Sequence, residues 1–166
     1  MQLMTSKERV LSRERNQAHT SGLLRGKADA LDLAGRAYTM DDTAIIAEEE
    51  KVPLFVWGTD YSGCPVGAPI GQIVNGVFQV FTMITPVNTA NYPGITPDTD
   101  RSLFSLCHTK DPAKAKPFVD AQGTSGMYQI GECCIDSGNV WRNLYQDNVF
   151  RPTVCPERWE NLGSVK

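Results

Sequence analysis

The chain has 166 residues, of which 41% are hydrophobic and 21% charged, so it is long enough to fold alone as one medium domain or two small ones. No apolar run approaches the roughly 18 to 20 residues of a membrane span, and the first residues lack the apolar core of a secretory signal. We therefore expect no membrane insertion and synthesis in a cytosol.

The charge is unevenly distributed along the chain. Up to Arg36 there are seven basic and four acidic residues, a balance of +3, and because the net charge is -3 the remainder carries -6. A basic arm on an acidic body is compatible with nucleic-acid binding. Its basic residues are interleaved with acids, however, and no aromatic residue precedes Tyr38. This pattern favours an arm that docks on another protein.

Residues 5–36 are predicted to be helical. Thr5 or Ser6 can cap the helix, with Glu8 placed to complete a capping box. Its apolar positions are few, so we expect this helix to be ordered only against a partner or against symmetry-related copies, the alternative being a frayed tail. A short second helix is predicted to begin at Asp41 or Asp42 and to end before Pro53.

From Pro53 onward the sequence changes to short β-branched and aromatic runs separated by Gly, Pro, Asn and Asp, which is typical of short strands and tight turns. Residues 53–106 and 117–162 read as two diverged copies of one module. An offset of 63 residues pairs Phe55 with Phe118 and Phe78 with Trp141, and an offset of 55 pairs Phe104 with Trp159. The difference corresponds to one insertion of eight residues in the first copy.

The predicted fold is mainly β, with an N-terminal helical arm and two small tandem modules of short antiparallel strands. Residues 1–50 form the predicted attachment or oligomerisation arm with its acidic connector. A module this small buries little surface, so aromatic side chains are expected to supply most of its core, about 2 to 3 kcal/mol each. The predicted core aromatics are Phe55, Phe78, Phe104, Phe118, Trp141 and Trp159.

The sequence contains no recognisable motif for catalysis or for metal binding. The sequence has no phosphate-binding glycine loop, HExxH or GxSxG, and Cys107 and His108 are neighbours that would point in different directions from a strand. The five cysteines include an adjacent pair and no CxxC, which predicts reduced, packed thiols. We therefore expect no catalysis, no metal site and no cofactor.

The second copy contains Tyr128-x-x-Gly131, then Gly138 and Trp141, and it ends in a proline-rich stretch closed by Trp159. This run resembles the chitin- and cellulose-binding modules of carbohydrate-binding families five and twelve, over residues 117–162. It departs from them at position 132, where the family has Asp and this chain has Glu. The resemblance implies a sugar site in which exposed aromatic rings stack on pyranose faces and polar side chains bond hydroxyl groups. The candidates are Tyr145, Gln146, Asn148 and Phe150.

For Tyr145 and Phe150 a purely structural role, covering the small core, is the open alternative. The wider layout also resembles short proteins of tailed bacteriophages, through residues 40–55 and the copy endings TPDTDRSLFSL and RPTVCPERWENL. That resemblance implies a virion protein, made in the host cytoplasm, in which residues 1–50 contact other virion proteins and the modules face outward.

Such a protein would be a head fibre, a capsid decoration or a tail or baseplate subunit, and cell-surface or environmental polysaccharide would be its ligand. A homo-oligomer is expected, with a trimer preferred, because single modules bind sugar weakly. The open alternative is a purely structural virion subunit that uses the modules for protein contacts. A free bacterial sugar-binding domain is disfavoured, because neither a signal peptide nor a catalytic neighbour is expected from the sequence.

Overall fold

The computed structural model describes residues 26–166, so most of the predicted N-terminal helix, residues 5–25, lies outside the described residues. Residues 26–36 are helical (α1) and continue into a 3-10 turn, Ala37–Thr39. A second helix, α2, spans Asp42–Ala47 and is capped by Asp41, whose carboxylate accepts a hydrogen bond of 2.8 Å from the Ala44 amide. Within residues 26–166, no helix has both the length and the apolar character needed to cross a membrane.

The rest of the described chain forms two small sheets joined by turns and short 3-10 segments, which confirms the prediction of a mainly β protein with a helical N-terminal region. The first sheet has the order β1-β2-β3 and is antiparallel, and the second has the order β4-β5-β6-β7 with only β4 and β5 parallel. The strands are β1 (Pro69–Val74), β2 (Val77–Met83), β3 (Phe104–Leu106), β4 (Lys116–Pro117), β5 (Cys133–Asp136), β6 (Asn139–Asn143) and β7 (Trp159–Ser164).

Both sheets share one architecture. Each contains a hairpin with a two-residue turn in which both residues have positive φ, Asn75-Gly76 (50° and 78°) and Ser137-Gly138 (49° and 76°). This geometry matches the twist of the flanking strands and suits Gly at the second position. The strand that pairs next with each hairpin, β3 or β7, begins with a buried aromatic residue, Phe104 or Trp159, opposite the last residue of the hairpin.

The hairpin turns fix a register between the copies that differs by one residue from the predicted register. Superposing the turns gives an offset of 62, not 63, so the predicted equivalence of Phe78 with Trp141 is wrong. Because side chains alternate along a strand, this slip moves each residue to the opposite face. Phe78 packs against the helices, whereas Trp141 packs on the core face, which in the first sheet carries Phe81.

The helices cover one face of the first sheet. Leu33 and Ala37 of the first helical stretch, together with Ile45 and Ile46 of α2, are buried in one cluster with Val80 of β2. Residues 26–36 of the predicted helix therefore pack against their own chain, whereas the prediction for residues 5–36 is order only against a partner or symmetry-related copies. The reason is that two short apolar stripes, each too weak alone, combine into one surface opposite a sheet.

The two modules pack directly against each other. Ser125 of the second module acts as an extra partner for β3: its hydroxyl accepts from the Leu106 amide and donates to the Phe104 carbonyl, both at 3.2 Å. The His108 ring stacks on Tyr128 with centroids 3.7 Å apart, and its Nε2 lies 2.9 Å from the Gly126 carbonyl oxygen. The second module thus makes buried hydrogen bonds with β3 of the first module and a buried aromatic contact with the segment that joins the two.

Candidate ligand-binding site

The loop after β6 is organised by one buried amide side chain. Asn143, the last residue of β6, is fully buried and donates from Nδ2 to the carbonyl oxygens of Tyr128 and Gln129 at 3.0 and 2.9 Å, and to that of Tyr145 at 2.5 Å. Its Oδ1 accepts from the Asn148 side chain at 2.7 Å. A buried amide with its donors and acceptor satisfied holds the loop in one conformation.

Asn148 was predicted to contact sugar, and the structure places it elsewhere. Its side chain is 0% exposed. Besides bonding Asn143, its Oδ1 accepts from the Phe150 amide at 3.0 Å, and its backbone pairs with Tyr128 in both directions at 2.9 Å. The prediction of Asn148 as a sugar ligand is therefore wrong, because its polar atoms are used inside the protein. It instead positions the residues on either side of it.

Tyr145 and Phe150 project from this fixed loop with 48% and 42% of their surfaces exposed. The guanidinium of Arg158 lies beside both rings, its central carbon 5.2 Å from the Tyr145 centroid and 4.9 Å from the Phe150 centroid. Both distances are within the range of cation–π attraction. We call Tyr145, Phe150 and Arg158 the aromatic–arginine clamp.

The clamp is fixed to the core by two backbone contacts. The indole Nε1 of buried Trp159 donates to the Phe150 carbonyl oxygen at 2.9 Å, and the Leu144 amide donates to the Arg158 carbonyl oxygen at 2.9 Å. Trp159 itself packs edge-on against Phe118 and Tyr128. The exposed rings therefore rest on the core of the second module.

A polar edge flanks the clamp. Gln146, the remaining predicted sugar contact, is exposed and donates from Nε2 to the Gln129 side chain. Gln129 in turn donates to the Asp147 carboxylate at 3.1 Å. The backbone of Asp147 is left-handed, with φ 51°. The site thus combines two exposed rings, one guanidinium and a row of amide and carboxylate groups.

The six predicted core aromatic residues fall into a buried group and a partly buried group. Phe104, Phe118 and Trp159 are buried. Phe55, Phe78 and Trp141 are partly buried and pack against the edges of the three apolar clusters, Trp141 also donating its Nε1 to the Asp136 carbonyl oxygen at 3.1 Å. All six side chains therefore contribute to packing, and none of them belongs to the clamp.

A second group of titratable side chains lies at the junction between α2 and the modules. Burial raises the pKa of the Cys107 thiol well above its usual value and lowers that of His108 to about 4. Burial, with Asp42 nearby, raises the pKa of Glu132 to about 7. A buried neutral thiol beside a neutral imidazole bonded to a backbone carbonyl is not an activated nucleophile. All five cysteines are free thiols.

Two functional features were missed by sequence reasoning. Arg158 precedes the motif residue Trp159, but nothing in local spacing indicates that it reaches across to two rings eight and thirteen residues earlier. The role of Asn143 in holding the loop was also missed. A signal was available, because Asn143 is a polar residue at the end of a strand, two positions after a tryptophan. No known protein family matches the chain, and no curated protein sequence matches it significantly.

Proposed function

We propose that this protein is a non-enzymatic bacteriophage virion component, a head fibre, capsid decoration or tail or baseplate protein. Its second module would adhere to host-surface or environmental glycan, and its N-terminal residues 1–50 would contact other virion proteins. The observation that carries the adhesion part is the aromatic–arginine clamp, with two half-exposed rings standing on a loop fixed by Asn143. The virion part follows from the resemblance of the sequence layout.

Exposed rings held in place are what sugar recognition requires. Stacking on the apolar face of a pyranose needs a ring already oriented, because ordering a mobile loop on binding reduces affinity. The hydrogen bonds of Asn143 and Asn148 order this loop before any ligand arrives. One site of this size binds weakly, so display on a homo-oligomer, preferably a trimer, would supply the missing affinity through effective concentration.

The test is binding of the full-length oligomer to a broad glycan array, with Tyr145→Ala and Phe150→Ala as variants. Each variant is expected to lower binding about tenfold, since an aromatic contact is worth roughly 1 to 2 kcal/mol. Tyr92→Ala is the matched control, because Tyr92 is similarly exposed (44%) but lies in the first module, away from the clamp and from residues 1–50. Absence of binding to every glycan would refute the adhesion role.

The structural alternative also has an observation in its favour. The sheet face that α1 and α2 cover in the first module borders, in the second, a groove of about 620 Å³, lined by Ile135, Val140 and Leu162 and by residues of the segment 112–115. Because helices cover the equivalent face of the first module, the internal repeat favours an apolar helical surface of a neighbouring virion protein as the occupant of this groove. In that case Val140→Glu would reduce incorporation into particles, whereas Val154→Glu at an exposed turn would not.

A further inference from the structure

The charge of Arg158 has no acidic partner within the described residues. Of the four other arginines in residues 26–166, Arg36, Arg101 and Arg142 each form an ion pair with a carboxylate at 2.8 to 3.0 Å, and Arg151 lies over the Phe118 ring. Neither an ion pair nor a side-chain hydrogen bond joins Arg158 to any residue in 26–166. The nearby Glu160 is already paired with Arg142 at 3.0 Å. The Arg158 guanidinium instead lies beside the Tyr145 and Phe150 rings.

Flanking rings leave the hydrogen-bonding capacity of a guanidinium unused. The Tyr145 and Phe150 rings attract the charge through their π-systems but offer it no in-plane acceptor. Arginine presents its N–H donors at the edge of a plane, in a fork whose spacing matches a carboxylate. The clamp therefore places a cationic fork beside two exposed aromatic rings, without an acidic partner among residues 26–166.

We propose that the aromatic–arginine clamp recognises an acidic glycan through the carboxylate of a uronic acid residue, which bonds the Arg158 fork while a sugar ring lies against Tyr145 or Phe150. This inference rests on the proposed adhesion function and narrows its ligand class. A neutral sugar offers the guanidinium only uncharged hydroxyl acceptors, whereas a carboxylate can accept two parallel charge-assisted hydrogen bonds, which are stronger. The clamp thus favours acidic over neutral polysaccharide.

The carboxylate of Asp147, beside the clamp, limits which end of the ligand can carry negative charge. Asp147 lies on the Gln129 and Gln146 side, with its carboxylate held by the Gln129 amide at 3.1 Å. That side suits sugar hydroxyl groups, which can donate to a carboxylate. The ligand carboxylate is therefore directed to the Arg158 side and the hydroxyl groups to the Asp147 side.

The experiment measures binding of the full-length oligomer to polygalacturonate, alginate and hyaluronan, each beside its own carboxyl-reduced, neutral form. We expect at least one acidic polymer to bind about tenfold or more tightly than its reduced form. Raising the salt from 0.05 to 0.5 M is expected to weaken this binding, because ionic contacts at a surface are screened. Arg158→Gln is expected to abolish the preference for the acidic form.

Arg142→Gln is the matched control: it removes a charge from the same module, from a residue already paired with Glu160 and outside the clamp. Arg158→Lys retains the charge without the planar fork, and we expect weaker but still salt-sensitive binding. Equal binding to acidic and reduced polymers, or undiminished binding by a folded Arg158→Gln, would overturn the inference and leave the adhesion role standing. Failure to bind any polysaccharide, acidic or neutral, would overturn the adhesion role itself.

Discussion

Replacing Glu132 by Gln should stabilise the protein at neutral and alkaline pH. Glu132 is only 7% exposed, and its pKa is raised to about 7, first by burial and then by the neighbouring Asp42. Its Oε2 accepts a hydrogen bond of 2.7 Å from the Gln129 amide. A glutamine at this position can still accept that bond through its carbonyl oxygen, so the substitution removes the charge and keeps the geometry.

The sign of the effect follows from proton linkage. The pKa of Glu132 rises from 4.5 in the unfolded chain to about 7 in the folded protein, so the folded state holds its proton more tightly. The stability that this group contributes is full below pH 4.5 and is lost as the pH rises through 7. The shift corresponds to about 3 kcal/mol at most, and partial access to water reduces the expected gain on substitution to about 2 kcal/mol.

The measurement is the free energy of unfolding from urea titrations of wild type and Glu132→Gln between pH 4 and 8.5. The difference between them should be near zero at pH 4, grow with rising pH and level off above pH 7.5. His108, whose pKa is lowered to about 4, gives the opposite slope, stability falling as the pH drops, but it is present in both proteins and cancels.

Glu50→Gln, at an exposed position, is the control and should leave the profile unchanged. A Glu132→Gln variant that is less stable than wild type at pH 8, or a difference that does not vary with pH, would refute the reasoning.

Three further substitutions test the packing, each by chemical unfolding. Asn143→Ala should cost about 3 kcal/mol, because it leaves several buried carbonyl and amide groups without partners. Leu33→Ala should cost about 2 to 3 kcal/mol by leaving a cavity under the helices, whereas Leu31→Ala, at a position 75% exposed, should be nearly neutral. Gly71→Ala should cost about 1 to 3 kcal/mol, since its new methyl group would collide with the Phe78 ring. A stable Asn143→Ala or Gly71→Ala protein, or equal losses at Leu33 and Leu31, would contradict these assignments.

The sequence supports the fold class because turn residues and aromatic runs report local geometry directly. It does not predict the register between the two copies. Aligning the copies by sequence pairs Phe78 with Trp141, whereas aligning their hairpin turns places these side chains on opposite faces of the sheet. The helices illustrate a related limit. Apolar positions such as Leu33 and Ile45 are too few along each helix to predict a buried face. They become core residues only when the two helices and β2 meet.

The candidate site divides in the same way. Tyr145 and Phe150 are exposed neighbours on one loop, and short separation in sequence makes such proximity predictable. The burial of Asn148 depends on Asn143 and Tyr128, and the position of Arg158 depends on the 3-10 turn Pro156–Arg158 returning the chain to that loop. Contacts of this kind are set by tertiary packing and leave no periodic trace in the sequence.

The helices that cover the first sheet precede it in the chain, and this order has a consequence during synthesis. A ribosome releases residues 26–47 before β2, so the apolar stripe of Leu33 and Ile45 meets its partner Val80 as soon as β2 emerges. We therefore expect the first module to close early and to present the edge of β3 to Ser125 of the second. Folding of the tandem would then proceed from the first copy to the second, which would pack against a sheet edge that is already formed.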